Sequence, residues 1–164
     1  MRIVPYRAKH ADAFASLNRN WLVAHDLWEE SDAEDLNDPE GTILAEGGRL
    51  YVAEWRGTVA GTCAVIPRGE GVMEISRLAV HPEWQRLGIG RRMLARCVGY
   101  ARRHGASRVM LLSSSRLTSA LRLYRSFGFE QVPVPAGAKY KTADVSMELT
   151  FRPVTAPSTP EVRV

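Results

Sequence analysis

Apolar side chains recur along this chain with two different periods, and the change from one to the other outlines its elements. From Gly88 to about His104, Ile89, Met93, Cys97 and Ala101 fall four apart, while Arg91, Arg92, Arg96, Arg102 and Arg103 fill the rest of the turn. That spacing predicts an amphipathic helix, which Gly105 is placed to end. Phe14, Leu17, Trp21 and Trp28 predict an earlier helix beginning near Ala11, and Thr118 to Phe127, closed by Gly128, a later one. Elsewhere the period is two: Val145, Met147, Leu149 and Phe151 alternate with Asp144, Ser146, Glu148 and Thr150, as in a half-buried strand. The β-rich runs Leu50 to Trp55 and Thr58 to Ile66 flank Arg56-Gly57 and predict a hairpin. Arg68 to Gly71 reads as a second turn leading into a strand at Val72 to Val80, and Ile3 to Arg7, Val109 to Leu112 and Phe129 to Val134 read as further strands.

The resulting order implies an α+β fold, an α/β sandwich around a mixed, mostly antiparallel central sheet of about six to seven strands flanked by about four helices. A chain of 164 residues suits one domain, expected over residues 1–151, with residues 152–164 a tail; Thr155 to Val164, with two prolines and few apolar groups, is expected to be disordered. With 45% hydrophobic and 24% charged residues the composition is that of a globular protein. No apolar run approaches membrane length, and the opening MRIVPYRAKHADAF turns polar after four residues, so the expectation is a cytoplasmic protein with no membrane partner.

Charge is unevenly spread. Six of the ten residues from Glu29 to Asp38 are acidic and none is basic, although the chain as a whole has a net charge of +4. A basic body with one acidic segment suits an anionic ligand in one place and a cationic one in another, or is simply a solvated loop on a basic protein. Asp32, Glu34 and Asp38 do not fit a calcium loop, because Leu36 falls at a ligand position and no Glu closes the series. Cys63 and Cys97 lie far apart with no CxxC pair, among apolar neighbours, and read as buried free thiols; no metal is expected.

Between Val80 and the long helix lies "HPEWQRLGIGRRML", His81 to Leu94. A strand leading through glycines into a helix gathers backbone N–H groups at the positive end of the helix dipole, where phosphate oxygens fit. Gly88 and Gly90 allow close approach and Arg86, Arg91 and Arg92 supply charge, although two glycines at such a junction serve tight packing equally well. A dinucleotide-binding GxGxxG is excluded by Met93 at the third glycine position, and a P-loop by the absence of Gly-Lys-Ser/Thr.

Gln85-Arg86-Leu87-Gly88-Ile89-Gly90 resembles the [Arg/Gln]-x-x-Gly-x-[Gly/Ala] signature of the GNAT superfamily of N-acetyltransferases, and "RLAVHPEWQRLGIGRRML" is similar to its surroundings. "ALRLYRSFGFE", Ala120 to Glu130, resembles the family's A-x-x-L-Y-x-x-x-G-F-x segment, and the element order agrees across roughly residues 2–151. Two departures stand out. Gln85-Arg86 replaces the frequent Arg-Gly, so Arg86 must point outward or the turn must shift; and Leu117 occupies the place of a common Asn, for whose polar contact Ser119 or Ser115 would have to substitute.

The resemblance implies acetyl-CoA as co-substrate, its pyrophosphate on the N–H groups around Leu87 to Arg91 and its pantetheine arm paired with the backbone of Leu78, Ala79 and Val80 like an added strand. Transfer to an amine needs a neutral nucleophile, and a lysine-like amine of reference pKa about 10.4 is almost wholly protonated at pH 7. Glu74 stands where many family members have a carboxylate that accepts this proton through water, and alternation puts it on the strand face shared by Ser76 and Leu78; paired with an arginine it would instead be an ordinary strand residue. Tyr124 matches the family tyrosine that approaches the CoA sulfur, and an N–H of Leu78 or Val80 is a candidate oxyanion donor. The elements expected to border the acceptor cleft nominate Trp21, His25, Glu29, Glu30, Asp32 and Tyr140, an acidic rim beside aromatics that would suit a cationic amine. The acceptor is expected to be an amine-bearing small molecule or protein, not nucleic acid, since the helix arginines face several sides without interleaved aromatics. A homodimer is compatible with the resemblance. The competing reading is an acyl-CoA-binding sensor without transferase activity.

Overall fold

In a computed structural model of the chain, residues 1–152 are described; the expected disordered tail, Thr155 to Val164, lies outside the described residues. Seven strands form one sheet, β1 (Arg2–Pro5), β2 (Arg49–Trp55), β3 (Thr58–Gly69), β4 (Val72–Val80), β5 (Arg108–Ser113), β6 (Glu130–Val132) and β7 (Val145–Thr150), in the order β1-β2-β3-β4-β5-β7-β6. Every neighbouring pair is antiparallel except β4 and β5, which are joined by a helical crossover and run parallel. The helices are α1 (Ala11–Ala24), α2 (Asp32–Asn37), α3 (Ile89–Arg103) and α4 (Thr118–Ser126), with a π-helical turn at Glu40–Leu44. The α+β architecture expected from the sequence is the one observed.

The two faces of the sheet bury separate cores. Cys63 and Val65 of β3 point to the side of α3 and α4, where they meet Met93, Leu94, Cys97, Ala101, Leu121 and Met147. Ala64 and Ile66, one residue out of phase, point to the side of α1 and α2, against Phe14, Leu17, Leu36 and Ile43. Burial on both faces explains why β3 is apolar almost continuously from Val59 to Ile66. Helix α3 seals the first core with the four-apart stripe read from the sequence, widened by Leu94 and Val98.

Helix α1 is shorter than the apolar spacing suggests. It ends at Ala24, because Asp26 turns into the left-handed region (φ 55°) and the Leu27 N–H returns to the Leu22 carbonyl at 2.9 Å. Trp28 therefore packs on the second core from the following loop, with the Arg19 guanidinium 4.8 Å from its ring centre. Among the described residues no helix is long and apolar enough to cross a membrane, and no cluster of three His, Cys, Asp or Glu is arranged to hold a metal ion.

Candidate active site

The site begins with a break in the sheet. β4 and β5 pair only from Val72↔Arg108 to Ile75↔Leu111; beyond that they diverge, so Ser76 to Val80 have no strand partner on the β5 side among the described residues. On its other side β4 is paired with β3 through a bulge, where the register jumps from Ala64↔Ser76 to Thr62↔Ala79 and sets Arg77 and Leu78 against the single residue Cys63. Arg77 takes φ 55°, a conformation that costs a non-glycine residue on the order of 1–3 kcal/mol and persists only when its surroundings over-determine it.

Those surroundings reach across the molecule. Arg77 Nη1 donates to Asp32 Oδ1 at 2.7 Å and Arg77 Nη2 to Asp35 Oδ2 at 2.8 Å, both from α2, while Nη2 also lies 2.7 Å from the Tyr140 hydroxyl. The side chain is 6% exposed, so both ion pairs are buried. Burial pushes the Asp35 carboxyl up, but the Arg77 hydrogen bond and charge, with Lys139 beyond, outweigh it and hold the group below its ordinary value. The Arg77 carbonyl is fixed as well: Thr62 Oγ1 donates to it at 2.8 Å and accepts from Asn18 Nδ2 at 3.0 Å, and Asn18 also donates to the Phe14 carbonyl. The bulge is thus pinned by α1, α2 and the loop before β7 at once. Two buried groups on it, Ser76 Oγ and Arg77 Nε, have no hydrogen-bond partner among the described residues.

Two cavities open on either side of this break. One, of about 130 Å³, is lined by residues 74–78 of β4, by Trp21, Leu22, Leu27, Leu112 and Leu117, and by Asn18, Ser113, Ser114, Tyr140 and Thr142. The other is a larger groove of about 480 Å³ running from Leu78 and Val80 along Gln85, Arg86, Gly88, Ile89, Gly90 and Arg91 to Arg116, Ser119 and Leu123. Trp21, Leu78, Leu117 and Tyr124 line both and form their common wall.

The glycine turn shapes the groove. Arg86 (φ 64°) and Gly88 (φ 80°) both adopt left-handed backbone, and Arg86 is exposed, as the first of the two alternatives expected for it requires. A Cβ on Gly88 would meet nothing within 4 Å, so the backbone there faces open space. The first intrahelical donor to Gly88 is Arg92 N, at 3.1 Å, so the preceding N–H groups at the start of α3 are not taken up by the helix. Arg91 lies on the groove with its guanidinium donating to Ser126 Oγ at 2.9 Å, and Arg116, not singled out from the sequence, adds a further positive charge.

Glu74 and Tyr124 both line the smaller cavity. Glu74 Oε2 accepts from Arg68 Nε at 2.7 Å, so the arginine pairing considered for it is real and the carboxylate borders the cleft as well. Tyr124 is 8% exposed, and burial, with a lesser contribution from the Cys63 thiol, pushes its phenol well above the ordinary value, so it is protonated at neutral pH. The buried free thiols Cys63 and Cys97, distant in sequence, meet in the core; burial and then the Cys63 neighbour push Cys97 up, which makes it a packed thiol and not a nucleophile.

Several expected site residues have other tasks. The acidic rim is engaged by the protein itself: Asp32 lines the smaller cavity but is paired with Arg77, and Glu29 accepts from the backbone of Lys141 and Thr142 at 2.9 and 3.0 Å and from Thr142 Oγ1 at 2.6 Å, tying the segment before α2 to the loop before β7. Glu30 is exposed and lines neither cavity. His25 lies on the groove and not the smaller cleft, its ring centre 4.4 Å from that of Trp21 and tilted 32° to it. Ala79 is buried in the second core and Leu87 is 68% exposed, and neither lines the groove. Ser115 cannot stand in for the Asn replaced by Leu117, because its N–H and hydroxyl are both bound to Asp144, at 2.7 and 2.6 Å; Ser119 remains on the groove. Asn18, Ser76 and Arg77 escaped the sequence reading, and only the position of Ser76 beside Glu74 on the strand gave a signal for any of them.

This arrangement has known counterparts. Over 121 residues the chain is 34% identical to N-acetyltransferase family 8 member 3 of Rattus norvegicus, covering 68% of this chain and 53% of that protein, so it spans about half the length of this curated relative. A GNAT-family acetyltransferase from Staphylococcus aureus Mu50 superposes with a TM-score of 0.85 over 92% of this chain and 99% of that one, at 16% identity, a likeness of fold. yncA from Salmonella typhimurium, solved with its cofactor acetyl-CoA, matches at a TM-score of 0.72 and 26% identity over 97% of this chain and 98% of that one. The model of the acetyltransferase (GNAT) family matches residues 12–129, and with the splayed β4–β5 pair and the glycine turn in place, the chain belongs to this family.

Proposed function

We propose that this chain moves an acetyl group from acetyl-CoA to a primary amine by direct attack within a ternary complex. The observation that carries the reading is the pair of cavities meeting at Trp21, Leu78, Leu117 and Tyr124, one bordered by helix-start N–H groups and arginines, the other a smaller cleft that holds Glu74.

The groove residues fit acetyl-CoA. The open face of Gly88 and the N–H groups at the start of α3 would receive its pyrophosphate, Arg86, Arg91 and Arg116 would offset its charge, and the unpaired backbone of Ser76 to Val80 would pair with its pantetheine arm. yncA, solved with acetyl-CoA, supports the same assignment by likeness. Bound there, acetyl-CoA supplies an activated thioester. Glu74, on the cleft wall, accepts the proton that the amine nitrogen loses as its bond to the acetyl carbon forms, directly or through water. Tyr124, protonated and on the common wall, donates to the sulfur as the carbon–sulfur bond breaks, so that the proton lost from nitrogen is balanced by the one gained in the CoA thiol. Trp21 and Leu117 screen the meeting point from water.

The test pairs calorimetric titration of acetyl-CoA with release of free CoA thiol on adding amines. Binding and amine-dependent thiol release are expected, and Gly88→Asp, which puts a carboxylate in the groove, abolishes binding with an unchanged circular dichroism spectrum. Retained affinity in that variant overturns the phosphate cradle, and binding without thiol release for any amine leaves a sensor in place of an enzyme.

A further inference from the structure

The carboxylates around the smaller cavity are all engaged by the protein itself, Asp32, Asp35 and Glu74 in ion pairs and Glu29 in hydrogen bonds. Asp32 and Asp35 face Arg77 at 2.7 and 2.8 Å, with Lys139 Nζ 3.4 Å from Asp35, and this group of two acids and two bases sums to zero charge. Glu74 faces Arg68 at 2.7 Å, and Glu29 is saturated by three donors of the 141–142 loop. What remains on the walls is apolar surface from Trp21, Leu22, Leu27, Leu112 and Leu117, together with the uncharged polar groups of Asn18, Ser113, Ser114, Tyr140 and Thr142. Ser76 lines the cavity, and its buried Oγ has no partner among the described residues, so one hydrogen-bonding group of β4 beside the cavity is unsatisfied.

A second ammonium on the acceptor would have to enter this space without a free counter-charge, a strongly unfavourable burial unless an existing buried pair is broken. The cleft is open on one side, and the space it offers a ligand, about 130 Å³, is near the volume of engineered cavities which hold a benzene ring. On the acetyl-transfer reading above, we propose that the acceptor is a compact primary amine with an uncharged, apolar body of up to about the size of a phenyl ring, its nitrogen hydrogen-bonded to Ser76 Oγ, and not a polyamine, an aminoglycoside or a lysine side chain in a peptide.

A matched thiol-release panel tests this: benzylamine and phenethylamine against putrescine, spermidine, kanamycin and a lysine peptide, at saturating acetyl-CoA and with acetyl-CoA affinity measured separately. The arylalkylamines are expected to exceed the polycations and the peptide in kcat/KM by at least about tenfold. Leu22→Trp, which narrows the cavity, is expected to raise KM for phenethylamine while leaving acetyl-CoA affinity unchanged, and Ser76→Ala to lower kcat/KM for every amine with acetyl-CoA affinity again unchanged. Acetyl-CoA binding with turnover of spermidine or the peptide equal to or above that of the arylalkylamines, or with no turnover of the latter, overturns the acceptor class and leaves the cofactor assignment standing. Failure to bind acetyl-CoA removes the transferase reading and the acceptor class with it.

Discussion

The Tyr124 phenol is the one titratable side chain on the wall between groove and cleft that is both protonated and nearly enclosed, 8% exposed. If it donates to the departing sulfur, Tyr124→Phe lowers kcat by roughly 10²–10⁴-fold with KM little changed; a rise in KM at constant kcat would instead mark a packing role. Its neighbour in function, Glu74, is bound to Arg68, so Glu74→Gln removes both the proton acceptor and an ion-pair partner. Arg68→Met separates the two: an acidic limb of the pH–rate profile that disappears in the Gln variant and persists, displaced, in the Met variant assigns the effect to the carboxylate. At this scale the sequence was informative where the constraint is local. Gly88 and Gly90 signal their turn because the backbone there needs open approach, whatever the rest of the molecule does. Arg77 gives no such signal. Its left-handed φ and its two partners 45 and 42 residues away exist only once α2 has folded against the bulge.

Among the elements, α2 was the most misleading. Six acidic residues in ten look like a ligand rim or a solvated loop, yet Glu29, Asp32 and Asp35 face inward as a buttress, which charge counting along the chain has no means of detecting. The other elements were legible to within a few residues, because their periodicity reports a single continuous face: α3 from its four-apart stripe and the β2–β3 hairpin from Arg56-Gly57. Helix α1 was over-extended because Trp28 keeps the apolar spacing after Asp26 has already ended the helix. The buttress has a pH signature. Burial pushes Asp35 and Glu29 up, but the hydrogen bonds and charges they receive, from Arg77 and Lys139 for the first and from Thr142 and Lys141 for the second, leave both below their ordinary values. The unfolded chain therefore takes up protons first, so the stability these groups contribute is present above about pH 4 and is lost as pH falls through their lower folded values. Acid unfolding followed by tryptophan fluorescence should show this limb, and Asp35→Asn should flatten it while lowering stability at neutral pH. Thr62→Val tests the other side of the bulge: it leaves the Arg77 carbonyl and the Asn18 amide without their partner and is expected to cost about 1–3 kcal/mol in urea unfolding.

For the molecule as a whole, one parallel junction in an otherwise antiparallel sheet decides where chemistry can occur. A crossover helix permits β4 and β5 to lie parallel, and their divergence after Ile75↔Leu111 leaves room that no hairpin-connected pair would leave. The opened stretch from Ser76 to Val80 is, in effect, an edge strand in the middle of a sheet. Natural sheets guard their edges because unpaired N–H and C=O groups recruit other chains. With the groove empty this fold therefore carries an internal site for strand addition, and the geometry that on the proposed reading accepts pantetheine would accept an extended peptide or a second copy as well. Acetyl-CoA at about 100 times its Kd should raise Tm by roughly 5–10 °C, and light scattering on mild heating should fall as the co-substrate is added. Nucleotide fragments that occupy only the glycine turn should leave the scattering unchanged, because they do not cap the strand. In this protein the occupant of the groove would act as the missing eighth strand.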